Sequence, residues 1–247
     1  PMKLDAYLDQ HFICDCGREH YASLKAVRIG KDALEALPLL AGEMGFQSLY
    51  LICDPITYGI AGERCEALLS VAKIRCKTAR LAHTGFDEAT LGELLIQMPA
   101  DCDLAVAVGT GAINDMTRFF SFKMGRPFFT VATAAPMDGF ASSVAAIQVN
   151  HLKTTFEAQT PAAIIGDTEI LKNAPYPMIA AGLGDLLGKF TCLCCSIGSC
   201  PESSAASMFA PISWSWWRVA CGTCWPTQRK QKTVIRRRWE RSWKGWF

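Results

Sequence analysis

Two loops that follow apolar runs carry the residues of this sequence best suited to chemistry. The run at 104–108 ends in a turn made of Gly109, Thr110 and Gly111, and a second run, at 128–132, leads into a loop that contains Asp138. Glycines let a backbone approach a pyrophosphate closely, and the amides that begin the next helix favour its negative charge. The turn therefore predicts a nucleotide site, with an ordinary tight strand-to-helix turn as the alternative.

Two further acids stand where a carboxylate would have a use. Asp54 follows the apolar strand pattern at 48–53, where an acid can accept hydrogen bonds from ribose hydroxyls. The alternative is that Asp54 and Pro55 only open a turn. Asp185 lies in an apolar helical pattern at 178–189, and burying a lone acid is costly. We therefore expect Asp185 to be partnered by a metal ion or a hydrogen-bond network.

The elements that must position these residues alternate along the chain. Apolar strand patterns and helical patterns follow one another through residue 135, which predicts a Rossmann-like α/β fold with a parallel sheet covered by helices. In such a sheet the glycine turn and the Asp138 loop lie at the same edge. We also expect Asp32 to cap a helix that runs to residue 44, a hairpin over 144–156 and a further strand over 162–166.

The composition excludes several classes of protein. Half of the 247 residues are apolar, and the first residues contain no uninterrupted apolar segment of the kind that a signal peptide carries. No stretch is long and apolar enough to span a bilayer. The 12 cysteines are not spaced as a secreted disulfide framework. We therefore expect a cytoplasmic protein with no membrane partner.

A change in composition near residue 190 sets the C-terminal segment apart. All 7 tryptophans and six of the 12 cysteines lie in 191–247, with nine basic side chains against two acidic ones. Such a segment could be an arm for nucleic acid or a membrane surface, but most of it lacks helical or strand periodicity. Tryptophan has the single codon TGG, and rereading the segment in a shifted frame yields good helix formers. We therefore expect a frameshifted tail and no nucleic-acid partner.

A family resemblance covers the chain from about Cys14 to Thr191. The segment 106–147, with Met137, Asp138 and Gly139 at its second loop, and the segment 153–190, with Gly184 and Asp185, closely resemble the sn-glycerol-1-phosphate dehydrogenases. That family belongs to the superfamily of glycerol dehydrogenases, iron-containing alcohol dehydrogenases and dehydroquinate synthases. The resemblance implies a nucleotide-binding α/β domain over 1–162, followed over 163–190 by only the start of an all-α metal-binding domain, with 191–247 as the aberrant tail.

The resemblance also assigns roles to individual residues around a cleft between the two domains. It implies that NAD or NADP is held through its adenosine ribose by Asp54. The pyrophosphate would lie on Gly109, Gly111, Ala112, Ile113, Asn114 and Asp115, and the nicotinamide side on Thr133, Ala134, Ala135, Pro136 and Ser142. Asp138 would bind substrate, and Asp185 would bind both substrate and a catalytic zinc. An acid at position 54 favours the ribose hydroxyl of NAD over the phosphate of NADP.

The reaction implied is reversible hydride transfer between NAD(P)H and dihydroxyacetone phosphate, giving sn-glycerol 1-phosphate, with zinc as the Lewis acid. The full-length family also implies a possible homo-oligomer. The family completes its zinc site with two histidines after the aspartate, whereas the four histidines here, at 11, 20, 83 and 151, all precede Asp185. A catalytic zinc normally takes three protein ligands, so we expect an incomplete site, a truncated chain, nucleotide binding that is weak at best and no dehydrogenase activity.

Three alternatives remain open from the sequence. One is a glycerol or polyol dehydrogenase of the same superfamily, whose substrate lacks the phosphate. Another is a nucleotide-binding remnant without catalysis. A third concerns Cys14, Cys16 and His20, which could contribute to a structural zinc site, although their spacing is atypical and a strand entering the sheet is the preferred interpretation.

Overall fold

A six-stranded parallel sheet organises this computed structural model, which describes residues 8–9, 11–13, 19–21, 23–82 and 86–196. The strands within these residues are β1 (His11–Ile13), β2 (Glu19–Tyr21), β3 (Ala26–Gly30), β4 (Ser48–Cys53), β5 (Arg75–Arg80), β6 (Leu104–Gly109), β7 (Phe128–Ala132), β8 (Val144–Val149), β9 (Leu152–Glu157) and β10 (Ala163–Asp167). The helices are α1 (Ala36–Glu43), α2 (Pro55–Thr57), α3 (Glu63–Val71), α4 (Glu88–Gln97), α5 (Gly111–Lys123), α6 (Thr168–Leu171) and α7 (Tyr176–Ser196).

The sheet has the strand order β3-β10-β7-β6-β4-β5, and every neighbouring pair runs parallel. Its four inner strands are buried along their whole length, because helices cover both faces of the sheet. This arrangement explains why those strands read as continuous apolar runs. The predicted parallel α/β fold is confirmed.

The two faces of the sheet hold separate apolar cores. Leu49 and Leu51 of β4 pack with α1 and α3 on one face, whereas Tyr50 and Ile52 pack with α4, α5 and β8 on the other. This split follows from the alternation of side chains along a strand. Helix α5, which follows the glycine turn, is therefore fixed on the second face by Met116 and Phe120.

Several local features differ from the sequence prediction. Asp32 has a left-handed backbone, with φ of 57°, and its side chain caps no helix. A 3-10 turn, Ala33–Glu35, follows it and leads into α1, so the prediction of a capping Asp32 is wrong. Between α2 and α3 the chain forms a π-helical turn, Tyr58–Gly62. The hairpin expected over 144–156 is confirmed as the antiparallel pair β8 and β9.

The sheet extends past the boundary that we expected after residue 162. Strand β10 lies between β3 and β7 and pairs with both, so the sheet itself includes residues up to Asp167, and the division into domains stays a prediction. Helix α7 then continues to Ser196, with side chains described as far as Gly188. The segment 191–247 was interpreted as a shifted-frame tail, and its first six residues continue α7, whereas 197–247 lie outside the described residues. The alternative zinc site at Cys14, Cys16 and His20 also lies outside the described residues or side chains. No helix in the described part of the chain is long and apolar enough to cross a membrane.

Candidate nucleotide-binding site

The strand order creates a crevice between the ends of β4 and β6. These two strands are neighbours, but the chain goes from β4 to β5 on one side and from β6 to β7 on the other. The loops after the two strands therefore diverge, and open α/β sheets bind ligands at such a switch point. Asp54, directly after β4, and Gly111, two residues after the end of β6, lie on the two sides of this switch point.

Gly109 makes the turn after β6 tight. A Cβ at this position would lie 2.6 Å from the Cδ1 of Ile113 and 2.9 Å from its Cβ, closer than real Cβ atoms approach other carbons. The buried Ile113 can pack against the end of the strand only because Gly109 has no side chain. The Thr110 side chain makes no capping hydrogen bond to α5, so the first amides of this helix have no side-chain acceptor there.

The predicted pyrophosphate residues divide into two groups. Gly111 is half-buried and Ala112 is exposed at the start of α5. The side chains of Asn114 and Asp115 face the protein instead: Asn114 is fully buried and its Oδ1 accepts from Thr130 Oγ1 at 2.6 Å, and Asp115 Oδ2 accepts from the Ala146 amide at 3.3 Å. What this segment offers a ligand is therefore backbone amides.

Asp54 has a structural role that the sequence analysis had left as the alternative. The Thr57 amide donates to Asp54 Oδ1 at 2.7 Å, and the Asp54 amide donates to Thr57 Oγ1 at 3.0 Å. This reciprocal capping box, with Pro55 in the first helical turn, begins α2. The carboxylate remains half-buried at the crevice, and its contact with a ribose stays a prediction.

The loop after β7 is tied to the glycine turn by its backbone. The Thr133 amide donates to the Gly109 carbonyl at 3.2 Å, which links the ends of β6 and β7. Thr133, Ala134 and Ala135 are buried, and Pro136 is half-buried. Further along, Ser142 Oγ accepts from the Val144 amide at 3.1 Å, a local turn that begins β8.

Helix α7 packs directly on this loop, and the sequence analysis missed the residue that permits it. A Cβ on Gly182 would overlap the Ala135 carbonyl oxygen and lie 3.1 Å from the Ala135 carbonyl carbon. One turn later, Asp185 Oδ2 accepts from the Asp138 amide at 2.8 Å. The structure therefore brings the two predicted catalytic acids together through a backbone hydrogen bond.

A hydrogen-bond partner was one of the two kinds of partner that we expected for Asp185, and the Asp138 amide is such a partner. The other, a metal ion, would need further ligands, and the described residues contain no group of three or more His, Cys, Asp or Glu side chains that could hold one. The residues in this part of the chain do not fit a complete zinc site. Asp185 is the one predicted ligand among them.

Arg118 is a second residue that the sequence analysis missed. It is fully buried on α5, where Nη2 donates to the Gly139 and Phe140 carbonyls at 2.8 and 3.0 Å, and Nη1 donates to the Val144 carbonyl at 2.9 Å. Nη1 also pairs with Asp115. Burial raises the pKa of Asp115, and the Arg118 guanidinium opposes that rise.

These contacts place Arg118 as the link between two parts of the site. It joins the helix that follows the glycine turn to the loop that carries Asp138. The sequence contained one signal for it. Asp115 and Arg118 are three residues apart in a helical pattern, a spacing at which an acid and an arginine can pair.

A comparison of sequences with known proteins finds relatives that agree with one another. The family model described as iron-containing alcohol dehydrogenase matches residues 28–175. A glycerol-1-phosphate dehydrogenase [NAD(P)+] of Halalkalibacterium halodurans is 37% identical over 186 residues, which cover 73% of this chain and 47% of the relative. That of Pyrococcus horikoshii is 32% identical over 169 residues, covering 68% and 48%. The chain spans about half the length of the curated relatives it matches.

Solved structures share the fold. A glycerol dehydrogenase from Schizosaccharomyces pombe superposes with a TM-score of 0.63 at 20% identity, covering 68% of this chain and 43% of that one. An alcohol dehydrogenase from Oenococcus oeni gives a TM-score of 0.61 at 16% identity, covering 66% and 49%. At these identities the likeness concerns the fold alone.

Proposed function

The chain belongs to the iron-containing alcohol dehydrogenase family, and on that premise we propose that it binds NAD or NADP as part of an oxidoreductase that interconverts dihydroxyacetone phosphate and sn-glycerol 1-phosphate. The observation that carries the proposal is the crevice between β4 and β6, where Asp54 and the glycine turn lie on neighbouring strand ends. The substrate pair is taken from the named relatives, each of which this chain matches over about half its length.

In this proposal the chain holds the dinucleotide mainly through its backbone. The amides at 111–113 bind the pyrophosphate, since they begin a helix and its side-chain cap is missing. Asp54 accepts from the adenosine ribose, and the loop at 133–136 with Ser142 lies against the nicotinamide. When bound, the nicotinamide supplies or accepts the hydride. Asp138, held beside Asp185, lies where it can contact the substrate.

We assign no step to zinc. The resemblance requires two histidines after Asp185, and the four histidines of this polypeptide all precede it. Because a Lewis acid at the carbonyl stabilises the transition state of such a reaction by several kcal/mol, we propose that the 247-residue polypeptide binds the dinucleotide without turning over substrate.

Nucleotide binding is testable with ADP-ribose, which contains the pyrophosphate and both riboses. We expect Ala112→Glu to weaken ADP-ribose binding about tenfold or more, because a carboxylate within about 4 Å of the pyrophosphate repels it by roughly 1–4 kcal/mol. The fold should tolerate this change, since Ala112 is exposed and an acid in the first turn favours a helix. Equilibrium dialysis measures the affinity.

Ala89→Glu is the matched control for that experiment. Ala89 is also exposed and occupies the second position of a helix, α4, whose N-cap is Asp87. This variant should bind ADP-ribose like the parent protein. Failure of the parent protein to bind ADP-ribose would refute the proposal, and an equal effect of the two substitutions would move the site away from α5.

The absence of turnover is a separate expectation. We expect the purified polypeptide, supplied with zinc, NADH and dihydroxyacetone phosphate, to oxidise NADH no faster than a mixture without protein. The Halalkalibacterium halodurans relative serves as the positive control. Turnover that a chelator abolishes and that Asp185→Asn removes would show that this polypeptide completes a metal site after all.

A further inference from the structure

An exposed arginine stands next to Asp54 at the edge of the crevice. Arg80, the last residue of β5, is the register partner of Cys53 in β4. The amide of the next residue, Leu81, donates to the Cys53 carbonyl at 2.8 Å. The end of β5 is thus fixed beside the residue that precedes Asp54.

The Arg80 guanidinium has a preformed support. Its central carbon lies 3.6 Å from the centre of the Tyr58 ring, a cation–π contact. The ring is held in turn, because the Tyr58 hydroxyl donates to Glu66 Oε2 at 2.7 Å and Thr78 donates to the other oxygen of Glu66. Gly62 lies against the ring so closely that a Cβ there would be 2.8 Å from Tyr58 Cδ2.

Within the part of the chain that the structure describes, no ion pair joins a carboxylate to this arginine. The ion pairs found there involve other cations, such as Arg64, Arg75 and Arg118. A guanidinium whose central carbon lies over a ring still carries its N–H groups in its own plane, where they match the oxygens of a phosphate. Arg80 is exposed, so these donors are open to a ligand.

Asp54 is less suited to a ribose diol than its position suggests. One of its carboxylate oxygens is occupied by the Thr57 amide in the capping box. An acid at this place in the fold selects NAD by accepting from the 2′-hydroxyl, whereas a nearby arginine accommodates the 2′-phosphate of NADP. Here one oxygen of the acid is engaged, and the arginine is supported and has no ion-pair partner among the described residues.

We propose that Arg80, stacked on Tyr58, binds the 2′-phosphate of the adenosine ribose, so that the site takes NADP in preference to NAD. This inference rests on the proposed dinucleotide site and reverses the preference that Asp54 alone indicated. The choice of coenzyme is thus made by β5, an edge strand that contains none of the site residues predicted from the sequence.

The test compares ADP-ribose with 2′-phospho-ADP-ribose, so it needs no turnover. The parent protein should bind the phosphorylated compound about tenfold or more tightly. Arg80→Met should remove that advantage while changing ADP-ribose affinity less than about twofold, and Arg80→Lys should recover part of it, because a lysine keeps the charge without the planar fork. Isothermal titration calorimetry at fixed salt gives each affinity.

Arg75→Met is the matched control. Arg75 begins the same strand, is exposed and pairs with Asp101 at 2.6 Å, at the opposite end of β5. It should leave both affinities unchanged. Equal binding of the two compounds, or an unchanged ratio in Arg80→Met, would overturn the inference while ADP-ribose binding still supported the dinucleotide site. Binding of neither compound would overturn both.

Discussion

Replacing Gly182 with alanine should displace α7 from the loop after β7. The added Cβ would overlap the Ala135 carbonyl oxygen, which belongs to backbone and cannot rotate away. The helix or the loop must then shift, and overpacking of this kind costs about 1–3 kcal/mol, occasionally more. The shift should also lengthen the 2.8 Å hydrogen bond between the Asp138 amide and Asp185, because Asp185 lies one turn beyond Gly182.

Two measurements report the effect of the Gly182→Ala substitution. Denaturant unfolding gives the loss in the free energy of unfolding, and hydrogen exchange of the Asp138 amide reports the hydrogen bond itself. Gly184→Ala is the control, since Gly184 is exposed on the same helix and a Cβ there meets nothing within 4 Å. Alanine in a helix interior should stabilise it by roughly 0.5–1 kcal/mol relative to glycine. Equal behaviour of the two variants, with Asp138 still protected, would contradict this packing.

The parts of the fold that could be predicted are those set by local patterns. The inner strands are buried on both faces, so β4, β6 and β7 appear in the sequence as uninterrupted apolar runs. The position of β10 between β3 and β7 depends on pairing with β3, which lies more than a hundred residues earlier in the chain, and no local pattern encodes it. That is why the domain boundary was expected one residue before a central strand.

The site residues also divide into those that local sequence patterns reveal and those that depend on contacts distant in the chain. The glycine turn and Asp54 were found because strand end, turn residue and helix start adjoin in the sequence. Asn114 was assigned to the pyrophosphate by the resemblance, but its phase on α5 places its side chain against Thr130 in the core. Gly182 and Arg118 act through residues distant in the chain, Ala135 and the loop at 139–144. Their roles required the tertiary structure.

Replacing Arg118 with methionine is expected to cost about 3 kcal/mol or more in the free energy of unfolding. Methionine fills much of the same volume, so the loss comes from the polar partners. Asp115 keeps a partly buried charge without its guanidinium, and the carbonyls of Gly139, Phe140 and Val144 each lose the hydrogen bond that Arg118 donates. Breaking a buried pair by removing one partner costs about 3–5 kcal/mol, and each lost hydrogen bond adds to it.

The double variant Asp115→Asn with Arg118→Met separates the charge from the hydrogen bonds. Removing the carboxylate should restore roughly 1–2 kcal/mol, whereas the loop at 139–144 should stay loosened, because its carbonyls still lack the hydrogen bonds from the guanidinium. Lys123→Met, an exposed change at the end of the same helix, should cost less than about 1 kcal/mol. Since Arg118 anchors the loop that follows Asp138, Arg118→Met should also increase hydrogen exchange at the Asp138 amide. A variant that unfolds like the parent protein, with that amide still protected, would mean that α5 does not hold this loop in place.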